Sequence, residues 1–511
     1  MRPRDARHRL DLQLSYTSRQ GRWVLVATVL GSAIASIDAT VVGIALPAIG
    51  RDFGATLATL QWVVTAYTLT LAGLLLFAGT LGDRYGRRRM FLVGVIWFAV
   101  ASLICGLAPD SPVLIAARAV QGIGAALMTP GSLAIIEASF APADRGKAIG
   151  AWSGLSGVAT AIGPFLGGWL VQAVSWRLIF AINLPLAAVT VAIGIRHVPE
   201  SSDPEVTGRV DVAGGALVTL GLVGSTYGLI EGPSAGWGHP ASLASLSAGV
   251  MLLAAFGAWE RRARRPMLKL GLFASAQFTA ANVVTFAVYG ALGGVLFLVP
   301  IQLQQVSGYT AVQAGIALLP VTAIMLALSA PSGTLAARIG PRAQMSAGPV
   351  ITAIGLAMFA RIGHSGDYLT EVLPAVVIYG LGLAITVAPL TSTVLAAVPV
   401  SHAGMASAAN NTIARASSLI AVAVLPAAVG LSGTAYLDPA RFSAGFSRAS
   451  LICAGLCLAG GVVAAITIRD TAPATEPAAE RLLYCALDAP PARAVVTGPG
   501  ENPPLSRDYP A

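Results

Sequence analysis

The sequence predicts an all-α integral membrane protein: two six-helix bundles with a two-helix hairpin inserted between them, fourteen transmembrane helices in all. Three observations predict it. Charged residues make up only 11% of the 511 residues, against about 25% in soluble proteins. Apolar residues reach 55%, the mean hydropathy is +0.75, and they gather in stretches of about 20, the length that crosses a bilayer. A basic, glycine-flanked loop occurs twice, at equivalent places in the chain. Such a chain cannot cover a water-facing surface, which excludes a soluble enzyme, a disordered tail protein and a collagen-like fibre. Lipid offers backbone groups no partners, so the spans are helices. The stretches lack the alternation that barrel strands need. Membrane helices tolerate the 56 glycines and 31 prolines.

Taken in order, the first bundle is 23–200, with spans near 23–47, 59–80, 90–108, 112–137, 147–172 and 177–195. An inserted pair (201–270) spans 211–230 and 241–259 and ends in a basic linker. The second bundle is 271–470, with spans near 277–300, 312–336, 343–361, 370–396, 405–430 and 449–468. Residues 1–22 form an arginine-rich cytoplasmic tail with no signal-peptide core. Residues 471–511, rich in Pro, Ala and Gly, read as a disordered cytoplasmic tail, within which 481–487 could form a short surface helix. The cysteines Cys105, Cys453, Cys457 and Cys485 give neither a disulfide framework nor a metal spacing. The i,i+4 pair Cys453 and Cys457 reads as packing.

Lysine and arginine orient the stack, because they concentrate in cytoplasmic loops. With both termini cytoplasmic, 25 of the 32 basic residues fall in inner segments, five fall outside, and Arg118 and Arg415 lie within spans. The net charge of +9 is therefore a topology signal rather than a nucleic-acid footprint. The run 260–269 reads as an anchor touching anionic lipid.

The loop after span 2 reads GTLGDRYGRRR (79–89) and the loop after span 10 reads GTLAARIGPR (333–342). They share Gly79/Gly333, Thr80/Thr334, Leu81/Leu335, Arg84/Arg338, Gly86/Gly340 and Arg88/Arg342. Parallel six-helix halves are a known transporter plan, with a binding cavity between them.

Four motifs then carry a family resemblance, in order along the chain. They are IDATVVGIALPAI (37–49), GTLGDRYGRRR (79–89), LIAARAVQGIGAA (114–126) and GLSGVATAIGPFLGG (154–168). WRLIFAINLP (176–185) accompanies them. The chain resembles the major facilitator superfamily, specifically its fourteen-span drug:proton antiporter branch, over about 20–470. The resemblance implies export driven by the proton motive force with no cofactor and no metal site. It also implies amphipathic small molecules and protons as partners, with membrane lipid around a monomer in the bacterial plasma membrane.

Asp38 is the sharpest residue. An ionised carboxylate within a span costs about 2.5–3.5 kcal/mol and is a functional candidate by default. Counted along the helix, Asp38 lies about 24 Å from the inner end of its span, and Arg118 at about 21 Å. Two opposite charges at one depth can pair directly or through water. Burial favours a protonated carboxylate and a neighbouring arginine an ionised one. Movement of Arg118, or entry of a cationic substrate, would then switch Asp38. The resemblance implies the same roles for these two residues; a static pair fixing helix packing is the competing reading. Glu137, near the inner end of span 4, is a second proton or substrate candidate. Arg415, near the middle of span 13, has no acid in spans 9–14 to pair with and is a gating or substrate-contact candidate. The run 410–424 departs from the family pattern, which leaves close packing of span 13 open.

The loop residues Gly79, Asp83, Arg84, Gly86, Arg87 and Arg88 read as a gate. Gly79 and Gly86 would permit tight approach and a turn. Asp83 would accept hydrogen bonds from a helix N-terminus. The resemblance implies a latch near the start of span 13 that holds the outward-facing state. Ala337 stands in the second copy where Asp83 stands in the first, so the latch is asymmetric. Gly154, Gly157, Gly163, Gly167 and Gly168 would let span 5 pack closely, and Pro164 would bend it. Gln61, Trp62, Tyr67, Asn183, Tyr289, Gln302 and Gln305 are possible substrate contacts, Trp62 and the outer glutamines reading rather as interfacial or loop residues.

Two exporter readings share these motifs: an exporter of amphipathic or cationic drugs and toxic compounds in exchange for protons, and a dedicated exporter of one endogenous metabolite or natural product. The span 5 motif disfavours an uptake symporter. A membrane-embedded transferase would need an acidic metal pair or catalytic loop, and an ATP-driven pump a P-loop. Neither motif occurs.

Overall fold

A computed structural model describes residues 14–202, 211–263, 266–399 and 402–470. The expected disordered tail 471–511, with Cys485 and 481–487, lies outside the described residues, as does most of the 1–22 tail. The described residues are helical throughout, apart from turns and one isolated bridge between Leu14 and Phe140.

The helices run α1 Arg19–Phe53, α2 Leu57–Tyr85, α3 Arg87–Gly106, α4 Ser111–Ser139, α5 Pro142–Ala173 and α6 Leu178–His197. Next come α7 Val212–Ala235, α8 Pro240–Arg262, α9 Ala276–Val306, α10 Ala311–Ile339 and α11 Pro341–Phe359. The last are α12 Tyr368–Ala396, α13 Ala403–Ala428 and α14 Pro439–Thr467. Thirteen of these described helices are long and apolar enough to cross a membrane; α11, with 19 residues, is the one outside that set. Their exposed faces carry large apolar side chains such as Trp97, Val100, Ile162, Trp169 and Ile466.

Helix ends follow local chemistry. Ser18, Thr56 and Asp110 cap α1, α2 and α4 by accepting the backbone N–H three residues on. α2 and α3 join at Gly86, whose φ of 107° suits a residue without Cβ. α10 and α11 join at Gly340 in the same way, with φ of 87°.

Packing follows the repeat. α1 packs on α4, α5 and α6, and α4 on α2 and α3. α9 packs on α13 and α14, α12 on α10 and α11, and α11 on α14. α7 and α8 form a hairpin whose α7 lies against α2 and α13. One face carries the 79–89 and 333–342 loops and is called the basic face below. On the other face the two sets of helices are tied together. Leu57 N–H donates to Gly433 at 2.9 Å, the Tyr436 hydroxyl to Ala55 O at 2.7 Å, and Gln304 to Ile44 O at 2.9 Å. Among the described residues, no hydrogen bond or ion pair joins the sets on the basic face.

Candidate functional site

Five helices converge on Asp38. Gly122 and Gly124, just past Gln121, set the spacing. A Cβ at Gly122 would strike Thr70 and Tyr67 O of α2, and one at Gly124 would stand 2.7 Å from Phe98 N of α3. α4 is thereby drawn against both neighbours, and Arg118 and Gln121 enter the interior.

Asp38 and Arg118 meet directly, Arg118 Nη1 donating to Asp38 Oδ2 at 2.5 Å. Each is 1% exposed. Asp38 Oδ1 accepts from Gln121 Nε2 at 2.9 Å and from Asn183 Nδ2 at 3.2 Å. Ser102 Oγ accepts from the same two amides at 2.8 and 3.2 Å. Arg118 also donates to Gln121 Oε1 and, through Nε, to Val63 O at 3.1 Å. Its guanidinium lies 4.5 Å from the Tyr67 ring centre and 5.8 Å from that of Phe180. The charge pair is thus wrapped in amides and aromatic faces, the arrangement that buried ions require. Sequence reasoning singled out neither Gln121 nor Ser102, although Gln121 stands inside the 114–126 motif. Its signal was available: a glutamine one turn after a span-buried arginine needs a polar partner.

The other candidates divide. Arg415 lies within electrostatic reach of Tyr67 and Tyr289. It makes no hydrogen bond or ion pair with a described residue, and its buried Nε has no acceptor. Glu137 is exposed near the end of α4, outside the Asp38 cluster. Gln61 is consumed structurally, donating to Val422 O at 2.6 Å. Trp62 donates to Glu231 at 2.9 Å. Gln302 is no loop residue: it is fully buried and donates to Ile362 O at 2.9 Å. Gln305 Nε2 is buried without a partner. α13 packs closely despite its unusual run, since a Cβ at Gly293 of α9 would strike Ser418.

The loop differs from a closed latch. Asp83 accepts from Arg87 Nε at 2.9 Å, one turn on, rather than from a helix N-terminus. Gly79 faces open space, so tight approach is not its use here. Arg84 lies over the Tyr85 ring. Arg88 N–H donates to Glu200 Oε1 at 3.0 Å, and its guanidinium to Val198 O at 3.1 Å. The second copy repeats this: Arg342 N–H donates to Asp470 at 3.0 Å, and its Nε to Ala465 O at 2.9 Å. An acid past α6, and another past α14, thus caps the third helix of each set.

Span 5 splits along its length. Gly154 faces open space and Gly157 has one contact at 3.9 Å, so neither packs closely. A Cβ at Gly163 would strike Thr40, and one at Gly167 would come within 2.6 Å of Val41, both on α1. A Cβ at Gly168 would sit 2.5 Å from Ala311 O of α10. α5 continues through Pro164, whose carbonyl abuts Gly315.

Two like sets of membrane helices, tied together at one face, with a buried ion pair inside the first, fit a membrane transporter. The comparisons agree. The profile of the Major Facilitator Superfamily matches residues 28–422, and the chain belongs to that family. It is 37% identical over 416 residues to multidrug resistance protein Stp of Mycobacterium tuberculosis, covering 81% of this chain and 77% of that one. It is 35% identical to the tetracenomycin C resistance and export protein of Streptomyces glaucescens, covering 78% and 74%. It is 36% identical to a puromycin resistance protein of Streptomyces alboniger, covering 81% and 83%. Among solved structures, a D-xylose-proton symporter shares the fold at a TM-score of 0.63 and 15% identity, covering 88% of this chain and 98% of that one.

Proposed function

We propose that this transporter exports amphipathic small molecules, antimicrobial compounds among them, across a bacterial plasma membrane in exchange for protons. The observation that carries the reading is the Asp38–Arg118–Gln121 cluster. A fully desolvated ion pair gains little for stability, since desolvation offsets its attraction. Within a membrane such groups mark ion and proton paths. Ionised Asp38 accepts from three side chains. A proton on Oδ2 removes the acceptor of Arg118 and releases the guanidinium toward the space between the halves. Proton and substrate then alternate, as exchange requires.

In this reading the chain has fourteen spans, with both termini and the basic face cytoplasmic. Residues 23–200 and 271–470 are the two halves, and 201–270 is the inserted pair. The ties across the face opposite the loops hold one state of an alternating-access cycle driven by the proton motive force in a monomer. Everted vesicles test it. Asp38→Asn is expected to abolish dye accumulation driven by a pH gradient while leaving downhill dye exchange. Wild-type coupling in that variant refutes the proton role. An exporter of one natural product is the second reading, favoured by the relative named for tetracenomycin C export. A competition panel in which one compound alone displaces the dye would establish it.

A further inference from the structure

The two halves differ in their buried charge. In the first half Asp38 and Arg118 neutralise one another at 2.5 Å. In the second half Arg415 has no such partner. Residues 271–470 hold four carboxylates: Asp367, Glu371, Asp438 and Asp470. All four are spent at helix ends. Asp367 and Asp438 cap α12 and α14, Glu371 holds Gly363 N–H and Ser365, and Asp470 caps α11. None lies within the body of α13 or the helices that face it.

Arg415 is half-buried, and its Nε has no acceptor. Tyr67 lies in the fields of Asp38, Arg118 and Arg415 alike. Its ring lies 4.5 Å from the Arg118 guanidinium. Tyr289 of α9 flanks Arg415 from the second half. A guanidinium presents a planar fork of five donors that matches a carboxylate in two parallel bonds. A half-buried arginine whose Nε lacks any acceptor leaves that fork unfilled.

We propose that Arg415 is the substrate's counter-charge, and that the exported compounds are amphipathic acids: aromatic molecules bearing a carboxylate or an ionised phenol. This rests on the export reading above and narrows it, since a cation would meet net positive charge at this site. The Tyr67 and Tyr289 rings would flank the apolar body while Arg415 takes the acid. Exporting an anion also moves negative charge outward, the direction that an inside-negative potential favours.

The test uses the full chain in proteoliposomes with an imposed pH gradient. The probes are planar aromatic dyes in matched sets, each as a carboxylate, its neutral methyl ester and a quaternary ammonium analogue. The carboxylates are expected to be exported in preference. Arg415→Gln is expected to raise their KM by about 10- to 100-fold, the worth of one hydrogen bond to a charged group. It should leave the ester's KM unchanged, and Arg415→Lys should restore part of the loss. Preference for the quaternary ammonium dyes, or an unchanged carboxylate KM in Arg415→Gln, overturns the proposal. Export of the ester by Arg415→Gln shows that the variant is folded. If wild type exports no dye of any charge, the export reading itself falls, and this inference falls with it.

Discussion

Gly168 offers the sharpest mechanical test. Its ideal Cβ would lie 2.5 Å from Ala311 O and 2.8 Å from Val312 Cα. Both obstacles belong to the first turn of α10, so no side-chain rotation relieves them. Ordinary contact begins at 3.4 Å; restoring it requires α5 and α10 to part by about 0.9 Å, the difference of the two distances. Overpacking of this kind costs about 1–3 kcal/mol. That cost falls only on the state in which this face is closed. Gly168→Ala should therefore shift the balance between states about 5- to 150-fold toward the state open at this face. Spin labels at exposed Val174 and Leu437, one in each half, read the opening directly in a Cys485→Ser background. A longer distance population and slower turnover are expected. Gly154→Ala is the control, because its Cβ points into open space. Unchanged distances and wild-type turnover in Gly168→Ala would refute the assignment of this contact as a seal.

Tyr436→Phe removes the hydrogen bond to Ala55 O across the same face; it should open that face in the spin-label assay with an effect of about 1 kcal/mol. Glu200→Ala removes the acceptor of Arg88 N–H, so the melting temperature in detergent should drop, by about the worth of one helix cap. Asp470→Ala should act alike at α11, since it holds Arg342 N–H at the same 3.0 Å. Backbone and hydroxyl bonds from Thr370 hold the Asp367 carboxyl below its ordinary value. Its contribution is therefore present above the ordinary aspartate range and lost as pH falls below it. The melting temperature of Asp367→Ala should differ from wild type at neutral pH and converge with it in acid.

What was legible depended on how local the cause is. Span-length apolar runs, the duplicated loop and a family motif set are written in contiguous residues, so the helical class and family followed. Asp38 and Arg118 were legible because charge is rare in spans and helical rise converts sequence position into depth. Gln121 and Ser102 were not, because an uncharged polar side chain in a membrane helix has many uses, and only three-dimensional convergence selects one. Glu200 and Asp470 escaped for a different reason: each lies far along the chain from the loop it caps, 112 and 128 residues away. The glycines of span 5 were read as one packing surface. They divide because close approach depends on which face the halves share in a given state, which no single helix encodes.

The two halves share a backbone plan but not a charge plan. Both copies keep the loop glycine, the loop arginine and a distant acidic cap, so the repeat conserves what closes helix ends. It diverges where the halves face one another. The first half holds a carboxylate and a guanidinium that satisfy each other; the second holds a guanidinium alone. Were both arginines paired, the interior would be neutral and indifferent to substrate charge. Were both unpaired, two like charges near one tyrosine would repel in low dielectric. One paired and one unpaired site separates the group that takes the proton from the group that meets the substrate. In this reading coupling and recognition reside in different halves, so Asp38→Asn should abolish the response to a pH gradient, and Arg415→Gln should alter which molecules are carried.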